Sequence, residues 1–127
     1  MERFLWVCVG GAVGSGGRYL VSLWALERLG GAFPYGTLIV NSVGSFLLGA
    51  LLQLGALNTS FPPTLRLALA TGVIGGFTTY STFNQETLVY LQQHNLALAA
   101  ANLLGTVSIC LLAGWLGQSA VTAMMAR

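Results

Sequence analysis

Apolar residues fill four long stretches of the chain, and polar or helix-breaking residues collect between them. The stretches run over about 4–26, 35–57, 65–91 and 96–125. Each reaches the roughly 20 residues that a helix needs to cross a hydrocarbon core of ~30 Å. Membrane-spanning β-strands are about half that length and alternate in polarity, a pattern absent here. Gly30-Gly31 and Pro34 separate the first pair, Asn58-Thr59-Ser60-Phe61-Pro62-Pro63 the second, and Gln92-Gln93-His94-Asn95 the third. Trp6, Trp24, Tyr35, Tyr90 and Trp115 fall near segment ends, where aromatic rings favour the membrane interface. The pattern predicts one all-α integral membrane domain over residues 1–127, with four transmembrane helices.

Composition makes lipid the solvent. Hydrophobic residues form 55% of the chain and charged residues 6%, and mean hydropathy is +0.76. A soluble domain carries roughly 25% charged residues, so this chain cannot cover a water-facing surface. The five basic residues are all arginines and are scattered, with no patch to follow a phosphate backbone. Nucleic acid is therefore not an expected partner. Cys8 and Cys110 lie inside apolar runs and read as small buried hydrophobes, and His94 stands alone, so no side-chain metal site is predicted. The first apolar run continues to Trp24 after a weak basic start, which favours a retained helix over a cleaved signal peptide.

Four crossings would put Arg3, Arg66 and Arg127 on one side and Arg28 on the other. The positive-inside rule then leans towards cytoplasmic termini, with a bias of only about two charges. So balanced a chain is suited to inserting in both directions, which would permit an antiparallel dimer. No internal inverted repeat is visible, so a second, oppositely inserted copy would have to supply that symmetry.

Small residues recur along three helices: Gly10, Gly11, Gly14 and Gly17, then Gly44 and Gly49, then Gly114 and Gly117. Lipid provides no hydrophobic drive between helices, so these read as sites of close backbone packing. The third segment is different. Gly72, Gly75 and Gly76 weaken it at mid-membrane, and Thr78, Thr79, Ser81 and Thr82 follow. A break at that depth frees backbone groups that protein, water or an ion must satisfy. Freed carbonyls suit a hard cation, whereas freed N–H groups and hydroxyls suit an anion. Tyr80 and Phe83 share a helix face, Thr79 and Thr82 lie beside them, and Glu86 continues the row. The positive edges of two rings could hold a small anion; equally, the rings could be packing residues and the hydroxyls could bond back to the preceding turn. Asn41, inside the second segment, is either interhelical glue or a pore donor. Arg18 is either an intramembrane functional charge or an anchor reaching the interface. Asn102, Thr106 and Ser108 make a weaker polar pattern in the fourth segment.

Three motifs together resemble the small bacterial fluoride channels of the Fluc or CrcB family. They are Gly10-Gly11-x-x-Gly14-x-x-x-Arg18-Tyr19, Gly36-Thr37-Leu38-x-Val40-Asn41-x-x-Gly44-x-Phe46-x-x-Gly49, and Gly75-Gly76-Phe77-Thr78-Thr79-Tyr80-Ser81-Thr82-Phe83 followed by Glu86. The resemblance extends over nearly the whole chain, with the fourth helix matched by position alone. It implies an antiparallel, dual-topology homodimer in a prokaryotic cell (inner) membrane, with two fluoride pores. It also implies that Phe83 and Tyr80 line the pore and that Asn41 donates to the anion. Ser81, Thr82 and Ser108 would form a polar track, Glu86 would lie near its mouth, and Arg18 would belong to the aqueous entrance. Backbone carbonyls of Gly75 and Thr78 would hold a structural sodium ion. The family usually has Phe where this chain has Tyr80.

The expected function is thus passive export of fluoride, with no enzymatic constellation. A proton-coupled exporter of cationic drugs, like the small multidrug transporters, is the alternative. That chemistry wants a carboxylate deep in the membrane, and the first helix offers Arg18 instead. A non-conducting assembly subunit is a third reading.

Overall fold

The computed structural model describes residues 1–126; Arg127, counted above with Arg3 and Arg66, lies outside the described residues. Every element among the described residues is helical. Helix α1 covers Glu2–Leu29, extending past the apolar run at both ends through charged residues that suit the interface. It stops at Gly30, whose φ of +81° is open to glycine at no steric cost. Helix α2 covers Tyr35–Leu57, entered through Pro34.

The third apolar stretch is not one helix. Pro63–Leu67 is α-helical, Ala68–Ile74 is π-helical and Gly75–Phe77 is α-helical again; together they form α3. Thr78 and Thr79 are extended, and α4 then runs over Tyr80–Gln92. Helix α5 covers Leu96–Met125, capped by the Asn95 side chain, which accepts from Leu98 N at 3.2 Å. Three of these helices, α1, α2 and α5, are long and apolar enough to cross a membrane. At 1.5 Å per residue the 13 residues of α4 reach only about 20 Å.

The break lies a little beyond where the glycines pointed. Gly72, Gly75 and Gly76 all remain helical, and the non-helical residues are the two threonines after them. The reason is packing. A Cβ on Gly76 would sit 2.7 Å from Gly11 O, and one on Gly72 would sit 3.0 Å from Val7 O. Facing them, a Cβ on Gly10 would sit 2.6 Å from Ala68 O, and one on Gly14 would overlap Val73 O. The glycines let α1 and α3 touch backbone to backbone, which holds them in helical register. Likewise α2 packs along α5, with Gly49 against Gly114 O and Gly117 against Phe46 O.

The interior is small: Ala25, Val40, Ala68, Ile74, Phe83 and Ala99 are the buried apolar residues among the described ones. Large apolar side chains such as Leu20, Leu104, Leu111 and Trp115 face outward. Such a surface is ordinary against lipid and far beyond what water tolerates.

Candidate ion site

Asn41 organises the break. Its Nδ2 donates to Thr79 O at 2.9 Å, and its Oδ1 accepts from Thr79 N at 2.8 Å. An amide thus replaces, for one residue, the pairing that a strand neighbour would give. Thr79 also caps α4: its Oγ1 accepts from Thr82 N at 3.3 Å and lies 3.0 Å from Thr82 Oγ1. Thr78 turns back, with N and Oγ1 both donating to Ile74 O, at 3.0 and 3.1 Å. Gly44 on α2 leaves the space that the Thr78 methyl fills.

These bonds redirect two backbone donors. In an unbroken helix Thr79 N would bond to Gly75 O, and Thr82 N to Thr78 O. Here the first goes to Asn41 and the second to the Thr79 side chain. The carbonyls of Gly75 and Thr78 therefore lose their regular helical donors. Both are oxygen ligands of the kind a hard monovalent cation takes.

Tyr80 and Phe83 stand one turn apart with ring centroids 5.9 Å from each other and planes tilted by 56°. Phe83 is buried, whereas Tyr80 is 76% exposed. Both line a cavity of about 300 Å³ that also touches Asn41, Thr78, Thr79, Thr106 and Cys110. A second cavity, of about 640 Å³, opens beside Thr37, Thr82, Glu86 and Tyr90 under the α1–α2 loop. Thr37 Oγ1 donates to Glu86 Oε1 at 2.6 Å, and Glu86 Oε2 is buried without a hydrogen-bond partner. Tyr90 OH donates to Ala32 O at 3.0 Å, pinning the loop beside this opening.

The structure gathers Asn41, Thr78, Tyr80 and Phe83 around one cavity, with Gly75 a turn before the break. Glu86 and Thr82 border the other. Ser81 is exposed at the start of α4, within 3.4 Å of Thr79 Oγ1. Ser108 is exposed on α5, and it is Thr106 and Cys110 of that helix that reach the ring pair. Arg18 is half-buried on α1, which packs on α2 and α3 and not, among the described residues, on α4 or α5. It is not brought to the rings. Thr37, Thr106 and Cys110 were not singled out as site residues above. The signal was present as spacing: Thr37 and Asn41, and Thr106 and Cys110, are pairs four apart on one helix face.

The family model described as "CrcB-like protein, Camphor Resistance (CrcB)" matches residues 5–118. The chain belongs to the CrcB family. Among curated relatives, this CrcB chain is 56% identical over 115 residues to the "Fluoride-specific ion channel FluC" of Anaeromyxobacter sp. (strain K), covering 91% of each chain. It is 52% identical over 118 residues to the protein of the same name from Sorangium cellulosum (strain So ce56), covering 93% of each. Identity to the one from Geotalea uraniireducens (strain Rf4) is 44% over 117 residues, or 92% of this chain and 94% of the other. Residues Arg18 to Ser108 all fall inside the matched region.

Proposed function

We propose that this chain is a fluoride-selective channel that lets fluoride leave the cell down its electrochemical gradient and so protects against its toxicity. The observation that carries this reading is the ring pair Tyr80–Phe83 set against a capped helix break, in a chain whose relatives bear that name. Fluoride is small and strongly hydrated, so desolvation is its main barrier. Many weak donors along a narrow path offset that loss and still let the ion leave. Asn41 Nδ2 spends one hydrogen on Thr79 O and keeps one for a ligand. If Thr79 Oγ1 donates to Thr82 Oγ1, the Thr82 hydroxyl hydrogen is free as well. The N-terminus of α4 adds a positive dipole end beside the rings.

In the same reading, α3 and α4 together make the third of four crossings. Two oppositely inserted copies form a homodimer in the prokaryotic inner membrane, each chain multi-pass. The exposed faces of Tyr80, Ser81 and Ser108 then meet the second copy, completing a polar track with Thr82, and Glu86 marks its mouth. Arg18 serves the aqueous entrance. The freed carbonyls of Gly75 and Thr78, doubled by the second copy, fit a sodium ion; bound there, it would supply positive charge between the two pores.

Efflux of fluoride from liposomes carrying the purified protein in sodium buffer tests the proposal. Efflux faster than from protein-free vesicles is expected, and equal rates would sink it. The alternative, proton-coupled export of a cationic drug, has weaker support: Glu86 is its one carboxylate candidate, and Oε1 is already engaged by Thr37. Proton-dependent uptake of a lipophilic cation would revive it. A silent protein that co-purifies with another membrane protein would point to an assembly subunit.

A further inference from the structure

A buried polar network between α4 and α5 contains two residues, Asn102 and Thr87, that have no part in the ion site as described. Asn102 of α5 is 1% exposed, the only fully buried large polar side chain among the described residues. Its Nδ2 donates to Thr87 Oγ1 at 2.9 Å and reaches Phe83 O at 3.5 Å. Thr87 Oγ1 in turn donates to Phe83 O at 2.9 Å, and Thr106 Oγ1 donates to Asn102 Oδ1 at 3.3 Å. Both amide donors and the amide acceptor are therefore used. All of Asn102's partners on α4 converge on one peptide group, the carbonyl of Phe83. That residue's ring is a wall of the cavity, and Thr106 lines the same cavity from α5.

We propose that Asn102 is a positioning residue for the ion path: through Thr87 it sets the rotation of α4 and hence the placement of the Phe83 ring. The need for such a device follows from the break. Helix α4 is not continued into α3, because Thr78 and Thr79 are extended. At its N-terminal end it is held by Asn41 through Thr79. Glu86 and Tyr90 tie it further to Thr37 and Ala32, but towards α5 only apolar contacts would otherwise set its rotation, and they resist turning weakly. Lipid offers no hydrophobic drive to hold one apolar face rather than another. A directional amide, buried and fully satisfied, specifies one rotation. Binding groups need placement within about 0.5 Å to work as a set, so a small rotation of the ring is enough to impair the path.

Thr106 sharpens the point. Its single hydroxyl hydrogen is committed to Asn102 Oδ1, so it turns no donor towards the cavity. It serves the network, not the ion. Removing Asn102 would release that hydrogen into the cavity and alter which anions the path favours.

This inference rests on the conduction reading, and its test separates the two. Fluoride and chloride efflux are measured from liposomes for the wild type, Asn102→Leu, Thr87→Val, Thr87→Ser and the Asn102→Leu/Thr87→Val double variant. Asn102→Leu and Thr87→Val are each expected to slow fluoride efflux about tenfold or more and to lower the fluoride-to-chloride ratio. The double variant should be no slower than the slower single, since both break one network. Thr87→Ser keeps the hydroxyl and should stay within about twofold of wild type. Wild-type efflux and selectivity in Asn102→Leu would overturn the proposal, as would Thr87→Ser as slow as Thr87→Val. If Asn102→Leu does not purify, the Thr87 pair decides by the same criteria. A wild type without fluoride efflux defeats the conduction reading, and the positioning claim is then judged by hydrogen exchange. Faster exchange across α4 in Thr87→Val than in Thr87→Ser, with α2 unchanged, supports it; equal exchange overturns it.

Discussion

Phe83 and Tyr80 carry similar rings into different surroundings. Phe83 is buried and fixed through its own carbonyl, whereas Tyr80 is exposed and carries a hydroxyl. Replacing Phe83 by Ile keeps an apolar side chain of comparable bulk and removes the positive ring edge. Phe83→Ile is expected to abolish fluoride efflux from liposomes while the assembly keeps its size on gel filtration; unchanged flux would remove the ring edge from the mechanism. Tyr80→Phe keeps the edge and deletes the hydroxyl, so efflux should stay within about threefold of wild type. A loss as deep as that of Phe83→Ile would instead make the phenol itself the ligand. That the two rings stand side by side was legible in the sequence, because residues three apart share a helix face; whether they pack or bind was not. Asn41 was only half legible. Its depth in an apolar run marked it as polar and paired, but nothing in the chain order said that its partner was the peptide of Thr79. That pairing also unites the two readings left open at first: the amide is glue, and one N–H remains.

At the scale of elements, the break is where sequence reasoning came close and missed. Glycines are weak helix formers, so three of them suggested the point of failure. Contacts with α1 overrode that propensity, and the chain gave way at Thr78–Thr79, where Asn41 and the Thr79 hydroxyl stood ready to take the freed groups. A one-chain pattern cannot show that Gly14 faces Val73 O, whereas Gly16 of the same helix faces nothing within 4 Å. The two make a matched test. Gly14→Ala would push α1 off α3 and should lower the thermal midpoint in detergent by several degrees, at a cost of about 1–3 kcal/mol. Gly16→Ala meets open space within one copy and should leave the midpoint unchanged or raise it, since Ala is the better helix former by about 1 kcal/mol. The cap is separable from both. Thr79→Val removes the acceptor for Thr82 N and should cost about 1 kcal/mol, seen as faster exchange of the first amides of α4. Equal exchange in the variant would mean that Asn41 alone holds the helix start.

For the whole molecule, the question is what covers the ring of exposed apolar side chains, and in which direction each copy enters the membrane. The four expected crossings distribute three arginines to one side and one to the other, so the balance rests on about two charges. Arg28→Gln strengthens the bias towards cytoplasmic termini, and an Arg3→Gln/Arg66→Gln/Arg127→Gln variant reverses it. If the active form is an antiparallel pair, each variant produced alone yields mostly like-oriented chains and little fluoride efflux from cells. Produced together, they restore it. Restoration is the informative result, because neither folding damage nor loss of an ion-binding arginine is repaired by a second damaged copy of opposite bias. Full efflux from each variant alone, with reporter fusions showing a single orientation in each case, would exclude the antiparallel arrangement. It would also leave the freed carbonyls of Gly75 and Thr78 without the second copy that the sodium proposal requires. The same samples settle that linked claim: efflux from the co-produced pair should fall when sodium is replaced by a bulky organic cation throughout purification. Two carbonyls from each copy bind such a cation poorly, and sodium restored to the buffer should recover the rate.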